Sequence, residues 1–250
     1  MERKKHLLTA LLLLISLSFF GQNGQNNQNS RSIYQAYING DMESWLQVIV
    51  QADKQPEKTE SDILELINYQ YGYIAWCLGQ KLTDQAKQYL KQAQKNIDIL
   101  EKKEYNMSSL YAYKAAFIGY EIGLSPVKAP FMGPKSLDYA EKAISSDPLN
   151  PLTYSQLGNI TYYTPKLFGG SQIQALNHYL MALSLMESNP KQLPGNWNYL
   201  NLLATIINAY IDLEQYSSAH DYCIKTLRLE PDFKWVKNEL LPLIRNKLNQ

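Results

Sequence analysis

Asp147-Pro148-Leu149-Asn150-Pro151-Leu152-Thr153-Tyr154-Ser155-Gln156-Leu157-Gly158-Asn159: within these residues one helix stops and another starts. Pro148 has no N–H with which to continue the helix before it. The helix that follows runs over Pro151–Tyr163, with Tyr154, Leu157 and Gly158 on one face at three- and four-residue spacing. Gly158 is small because a second helix crosses closely there, at the short end of an interaxial range of about 8–10 Å. Upstream of the turn stands Ser136/Ala140/Ala143: a small residue, a larger one four later and a small one three after that.

The same pattern recurs as Ala86/Leu90/Ala93, Ala175/Tyr179/Ala182 and Ala219/Cys223/Thr226, with a degenerate copy at Trp45/Ile49/Ala52. By itself this spacing is one face of any amphipathic helix. Its context is more telling, because two copies end at a proline, Asp147-Pro148 and Glu230-Pro231. Taken together, these residues resemble the tetratricopeptide repeat. Asp147–Pro151 is similar to that family's inter-repeat turn, Tyr154, Leu157 and Gly158 match its first helix, and Leu203, Tyr210, Ala219 and Pro231 match a further copy. The resemblance implies an all-α, right-handed array of antiparallel helix pairs. It is specific over residues 136–231 and loose over 31–135. The leading small residues are 50, 39 and 44 positions apart, against about 34 in the family. The extra residues fall within pairs, at Ser125–Lys135 and Tyr163–Gly170.

From Ser30 onward nearly every window has helical periodicity, and no run alternates long enough to be a strand. Breaks at Asn39-Gly40-Asp41, Gln55-Pro56, Gly79, Ser125-Pro126, Asp147-Pro148, Gly169-Gly170, Asn189-Pro190, Pro194-Gly195 and Pro231 divide the chain. About four and a half helix pairs and a C-terminal capping helix result. The cap, residues 232–248, aligns Phe233, Val236, Leu240, Leu243/Ile244 and Leu248 on one side, with Pro242 expected to kink or interrupt it.

At the other end, Arg3, Lys4 and Lys5 precede the uncharged apolar run Leu7–Phe20. That run suits a signal peptide and falls short of the roughly 20 residues of a spanning helix. Residues 1–21 therefore read as a signal segment, either cleaved near Gln22 or kept as an anchor, and residues 22–30 as a disordered polar tether before a repeat domain at 31–250. The expected location is periplasmic or secreted. Without residues 1–21, Lys+Arg falls from 24 to 21 and Asp+Glu from 23 to 22, a net charge of −1. Such balance argues against nucleic acid, and against an anionic membrane as partner beyond the signal segment. Cys77 and Cys223 both sit in apolar helical patterns and read as buried hydrophobes.

Catalytic and metal-binding signatures are missing: no C-x-x-C, H-E-x-x-H or G-x-S-x-G occurs, and Phe168-Gly169-Gly170-Ser171 lacks the lysine of a phosphate loop. His178 and His220 belong to different repeats and read as helix-surface residues. No enzyme, cofactor or metal is expected. In the family, ligand peptides lie in a concave groove lined by the first helices. Through the matched glycines, the resemblance assigns Gln156, Asn159, Tyr162 and Tyr163 to that groove, then Thr205, Asn208 and Asp212, and through Gly72 also Tyr69, Gln70, Tyr73 and Trp76. The implied function is an exported scaffold that binds a protein or peptide segment. The alternative is a small-molecule or glycan receptor that uses the same Tyr-rich surface.

Overall fold

A computed structural model describes residues 28–250. The expected signal segment and tether residues 22–27 lie outside this range; residues 28–30, read above as the end of the tether, are helical and belong to α1, described here over 28–39. The other helices are α2 (Met42–Asp53), α3 (Glu60–Gly79), α4 (Thr83–Glu101), α5 (Met107–Leu124), α6 (Ala129–Ser146), α7 (Pro151–Tyr163), α8 (Gln172–Glu187), α9 (Trp197–Asp212), α10 (Tyr216–Leu229) and α11 (Leu241–Leu248). Short 3₁₀ turns precede α6, α8 and α9, and no strand occurs among the described residues. The helices pack as successive pairs, α3 with α4, α5 with α6, α7 with α8 and α9 with α10, and each pair packs on the next. This is an all-α array of antiparallel pairs with a C-terminal cap.

Local chemistry explains the boundaries. Each first helix from α3 to α9 has a side chain accepting an N–H of its opening turn: Thr59, Asn106, Asn150 and Asn196. Asn150 also ties two pairs together, donating from Nδ2 to Ser108 Oγ (3.0 Å) and Ser109 Oγ (3.1 Å) on α5. Three turns carry neither glycine nor proline at their centre: Lys81 before α4, Glu104 and Asn106 before α5, and Glu214 before α10 adopt the left-handed conformation instead. The expected Ser125–Lys135 loop is largely helical: Pro130 falls in the first turn of α6, where its missing N–H has no intrahelical partner to lose, and Pro134 lies inside the helix at the loss of one backbone bond.

All five copies of the small–large–small pattern are buried, and the Gly158 explanation holds. A Cβ there would lie 2.3 Å from the Tyr179 ring of α8. The cap keeps its role with a shifted register. Val236–Leu240 winds as a π-helix before α11, and Phe233, Val236, Leu240, Leu241 and Ile244 are buried while Leu243 and Leu248 are exposed. Pro242 has no N–H for the 238 carbonyl, and the wider turn brings Leu241, not Leu243, inward.

The two ends of the array meet. Trp45 of α2 and Trp197 of α9 stand edge to face with ring centroids 4.8 Å apart. Tyr37 of α1 packs on Trp45, Trp197 and Phe233. Its hydroxyl donates to Asn201 Oδ1 (3.0 Å), and that of Tyr34 donates to Glu230 Oε2 (2.8 Å). Accordingly, Trp197 belongs to the core built on α1–α5, and Ile38 to the core built on α8–α11.

Candidate ligand groove

The first helices α5, α7 and α9 each present polar residues four apart to one shared cavity of about 220 Å³: Ser109/Tyr113, Ser155/Asn159 and Asn201/Thr205. Four-residue spacing puts both members on one face of a helix. Tyr71 of α3 completes one side, and no residue lining the cavity carries a formal charge.

Of the expected groove residues, Asn159 and Thr205 line this cavity. Asn159 is fixed from two sides: its Oδ1 accepts from Tyr179 Oη (2.9 Å) and its Nδ2 donates to Gln156 Oε1 (3.1 Å). Thr205 turns its hydroxyl to the Asn201 carbonyl (2.9 Å). Tyr162 and Asp212 are brought together across α7 and α9, the phenol donating to the exposed carboxylate. Burial and that carboxylate raise the Tyr162 pKa above the ordinary phenol range. Tyr163 lies edge-on to Tyr162 and is 79% exposed. Asn208 is half-buried and donates to the Ala204 carbonyl (2.8 Å), while Trp76 is half-buried beside Tyr73.

Four assignments need correction. Gln156, Tyr69, Gln70 and Tyr73 are 1%, 3%, 0% and 2% exposed and serve the interior, Gln70 accepting from Asn96 Nδ2 (3.1 Å). Gln156 donates to the Tyr71 hydroxyl (3.1 Å), Tyr69 donates to Glu65 Oε2 (3.0 Å), and Tyr73 packs edge-on against Tyr89 of α4. The α3 register came through Gly72, and Gly72 is not a counterpart of Gly158. A Cβ at Gly72 would meet Trp45 (2.6 Å) and Trp197 (2.8 Å), the aromatic contact between the two ends, and not its own partner helix. Tyr71, not Tyr69 or Tyr73, is the α3 residue at the cavity.

The sequence reading missed Tyr71, Ser109, Tyr113, Ser155, Asn198 and Asn201. The paired polar residues at four-residue spacing would have found most of them. Among the described residues no group of three His, Cys, Asp or Glu is placed to hold a metal ion, and no helix is long and apolar enough to cross a membrane.

No family model matches the chain, and no curated protein matches it. Solved structures do. The HusA haemophore from Porphyromonas gingivalis superposes with a TM-score of 0.56 at 13% identity, covering 72% of this chain and 92% of that one. A thermophilic tetratricopeptide-repeat protein from Thermus thermophilus gives a TM-score of 0.52 at 16% identity, covering 89% of this chain and 99% of that one. At such identity the fold is what is shared, and it is a tetratricopeptide-like array of helix pairs.

Proposed function

We propose that the protein is a non-enzymatic, exported binding scaffold that receives an uncharged segment of a protein or peptide partner at the cavity between α5, α7 and α9. The carrying observation is the chemistry of that cavity. Its lining is wholly uncharged and offers amides and hydroxyls beside tyrosine rings. Such groups suit a peptide backbone: the aromatics supply area with few rotatable bonds, and the amides pair with backbone N–H and C=O. Asn198 makes no side-chain hydrogen bond to another described residue, which leaves its amide for a ligand. The receptor reading finds support in the haemophore neighbour. Size favours the peptide: about 220 Å³ is below the roughly 300–1,000 Å³ of pockets that enclose a whole drug-sized ligand, and suits one or two side chains of a longer segment.

A photoreactive amino acid at Asn198, in the native host, decides between them. Irradiation should give a covalent adduct with a defined protein, lost when Thr205 and Ser155 are replaced by bulkier residues. A protein that yields no such adduct, yet carries a small molecule through purification, would overturn the scaffold reading. N-terminal sequencing of the native chain tests export, and should find it beginning near Gln22.

A further inference from the structure

We infer that the end of the array formed by the α5–α6 and α7–α8 loops is a docking surface for an anionic lipid membrane. Because α5 and α7 pack side by side and each is antiparallel to its partner, the two loops share one end. There Val127, Phe131, Tyr163, Leu167, Phe168 and Ile173 are 81%, 84%, 79%, 88%, 74% and 62% exposed. Single apolar residues on a surface need no explanation, but six on two connections and the helix ends that flank them, at one end of the array, form a patch that water disfavours.

The α7–α8 loop cannot fold these side chains away. Phe168 N–H donates to the Pro165 carbonyl (2.8 Å), Gly170 N–H to the same carbonyl (3.2 Å), and Ser171 N–H to Thr161 (3.1 Å). Gly169 has a φ of +94°, and a Cβ at Gly170 would lie 1.7 Å from the Thr164 carbonyl oxygen. The loop is a tight, braced turn with Leu167 and Phe168 at its tip.

Charge selects the occupant. Between Glu121 and Asp138 the only charged residues are Lys128 and Lys135, and between Asp147 and Glu187 the only one is Lys166. None of the three lysines is in an ion pair among the described residues, though Lys135 stands over the Tyr139 ring, 5.9 Å from its centroid. Nearby at the same end, Glu121 in the last turn of α5 accepts from Gln94, Asp212 is engaged by Tyr162, and Glu214 lies in the turn of the next pair, which bounds the patch. Apolar tips set among unpaired lysines match the boundary of a bilayer with acidic headgroups: the rings enter the acyl margin while the ammonium groups meet phosphate. A near-neutral net charge for the whole chain conceals this local excess.

The test uses the full chain carrying one added cysteine, Phe131→Cys or Leu167→Cys, labelled with an environment-sensitive fluorophore. Native Cys77 and Cys223 are buried and do not compete for label. Lys102→Cys, in the α4–α5 turn at the opposite end, is the control that separates loop insertion from attachment through the N-terminal apolar run. With phosphatidylcholine vesicles containing roughly a quarter phosphatidylglycerol, labels at 131 and 167 should shift to the blue and the label at 102 should not. Pure phosphatidylcholine should weaken the response. Replacing Lys128, Lys135 and Lys166 by Gln should raise the half-saturating lipid concentration roughly tenfold or more. Responses at 131 and 167 no greater than at 102, or unaffected by removing the lysines, would overturn the proposal. So would a response that rises with protein concentration without lipid, which would mark the patch as a contact between copies.

Discussion

A methyl group added at Gly72 would lie 2.6 Å from Trp45 and 2.8 Å from Trp197, well inside contact distance for carbon. Those indoles belong to α2 and α9 and are wedged against Tyr37, so neither has room to retreat. Gly72→Ala should therefore cost about 1–3 kcal/mol through overpacking. Thermal denaturation would show this as a fall of several degrees, together with an altered near-ultraviolet tryptophan signal. An unchanged melting temperature would mean the indoles do not meet there. The cysteines allow a second residue-level forecast. Burial pushes the Cys223 thiol up to about 12, and it raises Cys77 as well. The thiolate is the reactive form, so a raised pKa and low access act in the same direction. Ellman's reagent at about pH 8 should find no fast-reacting thiol in the native protein and two after unfolding. A single fast thiol would place one cysteine outside the core. At this scale the sequence was legible where a residue had one reason to be small. Gly158 faces its own partner helix, whereas Gly72 faces helices from both ends of the chain, and nothing local to residue 72 announces that.

Helices were the most readable level. The proline-bounded turn at Asp147–Pro151 and the small–large–small faces located the pairs, since both arise from interactions within a few residues. Turns built on left-handed Glu104 and Glu214 gave no such warning, as glutamate is ordinary in helices. The C-terminal cap shows how a single missing N–H redirects a face. Pro242 favours a π turn, and Leu241 enters the core in place of Leu243. Removing residues 232–250 would strip Phe233, Val236, Leu240, Leu241 and Ile244 from the α9–α10 pair. At about 1.5–3 kcal/mol per side chain this is roughly 7–15 kcal/mol of gross burial. Conformational entropy offsets most of it, which leaves an expected loss of a few kcal/mol and a tendency to aggregate. Chemical denaturation and sedimentation of the truncated chain test this. A monomer of undiminished stability would show that the segment does not cap the array.

Open repeat arrays unfold in a nearly one-dimensional way, because each repeat contacts only its neighbours. Here the first pair touches the last through Trp45–Trp197, Tyr37–Asn201 and Tyr34–Glu230, and each of the two main cores contains a residue from the opposite end. Unfolding should accordingly be a single cooperative step. Helix content by circular dichroism and tryptophan emission, followed through one urea titration, should give coincident transitions. A tryptophan transition at markedly lower urea would mean that the ends part while the pairs stay folded. This closure was illegible in the sequence, since it joins residues such as Tyr37 and Asn201, 164 positions apart, by shape alone, whereas the cavity left a trace in the polar residues spaced four apart on α5, α7 and α9. The same contact sets a schedule for synthesis. At about 5–20 residues per second, Trp45 leaves the ribosome roughly 8–30 s before the partner on which it will close. Through that interval Tyr37, Ile38 and Trp45 lack the surface that covers them in the finished molecule, and the nascent chain depends on whatever shields them until α9 emerges.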